Sequence, residues 1–162
     1  VDADNEYASG ALEFEWRIFE RAVSVPSDVM TALIAEMTAT ASELAANPQL
    51  ADIGSQLQAG IAALQTATDW IIANYESQPA AVHAGSVPFL RLTGIVAGGW
   101  LMARSAAIAV QRLAEGSTDD FYRAKLATAS YFAAHQLPFA AAYAAEMTGG
   151  AESVFALPEN LF

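Results

Sequence analysis

Apolar residues recur along this chain at helical spacing in consecutive segments, each closed by proline or glycine. Over 7–23, Leu12, Trp16, Phe19 and Val23 step by four, three and four and so share one helical face. Glu13 and Arg17 sit one turn apart on the opposite side, and Val25-Pro26 ends the segment, because a residue ahead of proline is pushed out of the α region. Ser27 is then an expected N-cap, with Asp28 in the positive first turn of a second helix. Its stripe is Met30, Ile34, Met37, Ala41 and Leu44, and Asn47-Pro48 stops it. A third helix starts near Gln49 and carries Leu50, Ile53, Leu57, Ile61, Leu64, Ile71 and Tyr75 on one face, with Thr68 in the skipped turn.

Between 76 and 88 the periodicity lapses into Ser77-Gln78-Pro79 and His83-Ala84-Gly85-Ser86, which predicts a loop. A fourth helix follows over 88–115. It is apolar on every side between 92 and 103, as expected of an element enclosed by its neighbours, and Gly94 and Gly98 would let another backbone approach. Gly116 ends it, and Ser117-Thr118-Asp119-Asp120 supplies caps and first-turn acids for a fifth helix. So short a turn makes the two antiparallel neighbours. Pro138 lies inside the fifth helix and should kink it, and Gly149-Gly150 closes it ahead of a tail over 151–162. The expected fold is all-α, an antiparallel bundle of about four to five helices whose last two are long and adjacent. Residues 1–26 are expected to form an N-terminal helical segment whose affiliation the sequence does not assign, and 27–162 the bundle.

Composition narrows the function classes. Hydrophobic residues make up 54% of the 162, much of that share alanine, the best helix former. With no cysteine, disulfides, thiolate metal sites and a cysteine nucleophile are excluded. Eighteen acids against seven bases give a net charge of −11, which repels phosphate backbones and anionic headgroups, so nucleic acid is not an expected partner. The acidic start lacks the basic and apolar regions of a secretory signal, and a cytoplasmic location is expected. The apolar stretch 92–103, bounded by Arg91 and Arg104, is shorter than the roughly 20 residues a membrane span needs, so none is expected.

Chemistry-bearing patterns are sparse. Neither His83 nor His135 has a glutamate three residues before it, as carboxylate-bridged metal bundles require. His135 and Glu146 share a face but lie roughly 16 Å apart along a helix, too far for one ion. His135, just before the proline, is expected to meet a freed carbonyl or solvent. No Gly-x-Ser-x-Gly elbow occurs, and the run Gly94-Ile95-Val96-Ala97-Gly98-Gly99 lacks nucleotide-loop spacing and a preceding strand. One asymmetry stands out: five of the seven basic residues, Arg91, Arg104, Arg112, Arg123 and Lys125, fall in a stretch holding only three acids, Glu115, Asp119 and Asp120. They mark either a solvated hairpin or a docking face for an anionic surface or ligand.

The segment 87–104, Val-Pro-Phe-Leu-Arg-Leu-Thr-Gly-Ile-Val-Ala-Gly-Gly-Trp-Leu-Met-Ala-Arg, resembles the C-terminal helical extension of the large acyl-CoA dehydrogenases. So do 121–129, His135-Gln136-Leu137-Pro138, 149–154 and 157–162, and the likeness extends over 28–162. The resemblance implies a parent enzyme that oxidises the Cα–Cβ bond of an acyl-CoA thioester, a carboxylate taking the α proton and FAD the β hydride. It places that chemistry in preceding domains. No catalytic, FAD-binding or metal-binding residue is carried over to this chain, which is expected to be one piece of a longer polypeptide and inactive alone. Its expected partners are the catalytic domains and further copies of the enzyme in a homo-oligomer, with the basic hairpin on the CoA side. The contrasting expectation is a free-standing helical interaction protein whose apolar face binds a partner helix.

Overall fold

The computed structural model describes residues 27–154 and residue 156, so the helix expected over 7–23 and the end of the tail lie outside the described residues. By its contacts the chain divides into two compact units, Val1–Leu33 and Ile34–Phe162. Among the described residues every regular element is an α-helix: α1 (Ser27–Ala45), α2 (Ala51–Asn74), α3 (Pro79–Ala84), α4 (Ser86–Ala114), α5 (Asp120–His135) and α6 (Phe139–Thr148). The all-α fold is as the periodicity predicts.

The stripes land where expected except at two ends, where Met30 of α1 is half-buried and Tyr75, just past α2, is 37% exposed. Ile34, Met37, Ala41 and Leu44 of α1 are buried, as are Leu50 and, on α2, Ile53, Leu57, Ile61, Leu64 and Ile71. Thr68 can be buried among them because its hydroxyl donates to the Leu64 carbonyl at 2.8 Å, leaving no orphaned donor. The Asn47 side chain accepts from the Gln49 amide and turns the chain between α1 and α2. Where α2 enters, Gly54 lies so close to the backbone of Ala41 and Ala45 that no Cβ fits.

The stretch 76–88 departs from the predicted loop. Pro79 stands at the first helical position, where its missing N–H costs nothing, and the alanine-rich residues after it complete α3. Gly85 stays at φ −83°, and its amide bonds back to Ala81 and Val82, so α4 begins at once with Pro88 in its first turn.

The α4–α5 turn follows the capping prediction. Gly116, at φ +91°, closes α4: its amide bonds to the Leu113 carbonyl and that of Ser117 to Arg112. Asp119 caps α5 by accepting from the Phe121 amide at 2.9 Å.

Pro138 does more than kink a single rod. The amides of Gln136 and Leu137 both donate to the Phe132 carbonyl, and helical bonding resumes with those of Phe139 and Ala140 bonding to Gln136 and Leu137. The result is a bent α5–α6 pair. The bend turns Leu137 inward, 2% exposed, against Gly60 of α2 and Gly99 of α4. Helix α4 packs against α2, α5 and α6, burying Leu92, Val96, Ala103, Ala106 and Ala109. The buried alanines of α5 and α6, Ala129, Ala133, Ala140 and Ala144, show what much of the alanine does: small side chains keep helix axes close.

Candidate docking surface

The five basic residues are held by α4 and α5 but do not converge. Arg91 and Arg112 lie on one helix roughly 31 Å apart. Arg112 pairs with Glu115 at 3.0 Å and Arg123 with Asp120 at 3.0 Å, both within one turn and largely in solvent. Such pairs contribute only about 0–1 kcal/mol and use up part of the positive field. Lys125 lies over the Phe121 ring at 5.2 Å, and Arg104 over the Trp100 ring at 4.9 Å. Arg91 is exposed, with no ion pair among the described residues. Spread over roughly 31 Å of α4, Arg91, Arg104 and Arg112 cannot close around one anion.

Neither histidine gathers ligands. His135 is exposed, with its ring 4.6 Å from Tyr131, and His83 meets Tyr75 edge-on at 6.2 Å. Among the described residues no three His, Asp or Glu side chains cluster closely enough to hold a metal.

The surface that periodicity did not reveal is the outer side of α4. That helix was expected to be enclosed, yet Val87, Leu90, Leu101 and Ile108 are 47%, 61%, 54% and 56% exposed. The expected close approach at Gly94 is likewise absent: a Cβ there would meet nothing within 4 Å. Gly98 faces the Phe132 ring instead, and it is Gly99 that is crowded, by Leu137. The physical reason is that the neighbours cover only one side of α4. The signal was in the sequence, since Val87, Gly94, Leu101 and Ile108 recur every seven residues, but it was submerged in a helix apolar all round.

At 29 residues, α4 is also longer than the apolar stretch read from the sequence, and by length and composition it could cross a membrane; 28% of its most apolar window is buried. Its packing against three other helices is that of a bundle element.

A family model described as acetyl-CoA dehydrogenase C-terminal like matches residues 33–158. The chain is 38% identical over 122 residues to a 3-methylmercaptopropionyl-CoA dehydrogenase of Ruegeria pomeroyi, covering 74% of this chain and 21% of that protein. It is 48% identical over 60 residues to a broad-specificity linear acyl-CoA dehydrogenase of Mycobacterium tuberculosis, covering 35% of this chain and 10% of that protein. The chain thus spans about a fifth or less of the length of these relatives.

Proposed function

The chain belongs to the acetyl-CoA dehydrogenase C-terminal-like family, and from that premise we propose that it contributes packing surface, not reacting groups, to an FAD-dependent enzyme that dehydrogenates acyl-CoA thioesters. The observation that carries this reading is the match over 33–158, which takes in nearly all of the helices described. The two relatives are acyl-CoA dehydrogenases by name, which supports the reaction class for the whole polypeptide.

FAD does not fit the described residues. The glycine run 94–99 lies inside α4, where the amides are committed to the helical ladder and cannot cradle a pyrophosphate. The flavin and the proton-abstracting carboxylate would therefore belong to other parts of the polypeptide. The partners of this domain would be those catalytic parts, and further copies in an oligomer. With the arginines spread along the hairpin, any contact with CoA phosphates would be made by one of them at a time.

The test pairs two samples. The full-length native polypeptide should be far longer than 162 residues, carry a flavin absorbance spectrum and oxidise acyl-CoA in a dye-linked assay. The 162-residue chain should do neither. Flavin or acyl-CoA oxidation retained by the short chain would contradict the proposed division of labour.

A further inference from the structure

The described residues leave the outer row of α4 without a partner, and its chemistry narrows what would cover it. Val87, Gly94, Leu101 and Ile108 recur every seven residues with Leu90 beside them, an apolar row roughly 32 Å long that winds by about 60° around the helix. The open space at Gly94 is a notch between Leu90 and Leu101, the shape that accepts a side chain from a helix laid along the row. Arg91 and Arg104 border the row on opposite sides; both are exposed, and neither has an ion pair among the described residues.

Charge selects the occupant. A second copy laid along the row in either direction brings no carboxylate from its own α4 to Arg91 or Arg104, because that helix holds no acid. A helix with aliphatic side chains at seven-residue spacing and carboxylates along its edges satisfies both the row and the arginines. The chain spans only 21% of the length of its relative from Ruegeria pomeroyi, so a parent of that size has ample sequence to provide one.

We propose that the outer row of α4 seats an acidic-edged amphipathic helix from the part of the parent acyl-CoA dehydrogenase outside this domain. The inference rests on the functional reading above and adds to it the surface and the chemistry of what covers it.

The experiment uses full-length enzyme carrying Leu101→Cys, labelled with a maleimide and read by peptide mass spectrometry; the 162 residues contain no cysteine of their own. The expected result is labelling at least about tenfold slower in the native than in the denatured enzyme, unchanged on dilution. Adding Gly94→Leu, which fills the notch at a position where a Cβ meets nothing within 4 Å, should restore fast labelling, and Arg104→Glu should do so in part. Native labelling within about threefold of the denatured rate overturns the proposal while leaving the functional reading intact. Protection that disappears on dilution as the enzyme dissociates into single subunits also overturns it, because a second copy then covers the row. A native polypeptide without flavin or a larger catalytic part overturns both.

Discussion

The two sides of α4 meet opposite surroundings. Gly94 and Gly99 lie five positions apart, about 140° around the helix. At Gly99 the Leu137 side chain fills the space where a Cβ would go; at Gly94 there is nothing within 4 Å. The inner side is shaped by its neighbours in this chain, down to single methyl groups. The outer side carries its own apolar row between Arg91 and Arg104, yet nothing among the described residues packs on that row at Gly94. An apolar residue on α4 is therefore no guide to what it does until its side of the helix is known.

That contrast orders the expected effects of substitution. Leu137→Ala removes the side chain wedged between Gly60 and Gly99 and should cost about 2–5 kcal/mol in urea unfolding, because a bent α5–α6 pair cannot easily collapse into the gap. Gly99→Ala overfills the same place and should cost about 1–3 kcal/mol, since Leu137 is buried and has little room to move. At the edge between the two sides, Trp100 donates from Nε1 to the Thr40 hydroxyl at 3.0 Å and ties α4 to α1; Thr40→Val should cost about 1 kcal/mol by the same measurement. Gly94→Ala should move the other way and stabilise the chain by about 0.5–1 kcal/mol, because the helix gains a better former and no atom stands in the way. A destabilised Gly94→Ala variant would mean that the outer side of α4 is covered within this chain.

How far the sequence could be read follows the same division. The stripes of α1 and α2 were legible because each alternates with polar residues, so that periodicity and burial coincide, as at Ile34 and Met37 or Leu57 and Leu64. The caps at Gly116 and Asp119 were legible because backbone geometry there demands particular residue types. The stretch 76–88 misleads because glycine and proline usually mark loops, whereas Pro79 opens a helix and Gly85 keeps a right-handed conformation between two. At Pro138 the kink was legible but the inward turn of Leu137 was not, because it depends on glycines distant in sequence.

The candidate site was the least legible part. Arg91, Arg104, Arg112, Arg123 and Lys125 are grouped in the sequence, yet the three on α4 are spread along it, since a helix of this length separates residues that composition groups together. The apolar row was hidden for the opposite reason: its middle, Gly94 and Leu101, lies in the stretch 92–103 that reads as apolar on every side, where periodicity has little to contrast with.

The most direct test of the claim that the inner side of α4 folds the domain while the outer side docks it is Leu101→Glu, measured by urea unfolding in two settings. In the 162-residue chain the change should stay within about 0.5 kcal/mol, because Leu101 is 54% exposed. In the full-length enzyme the same substitution should cost about 2 kcal/mol or more, by placing an unpaired charge in a covered apolar row. An equal and negligible effect in both would contradict the account.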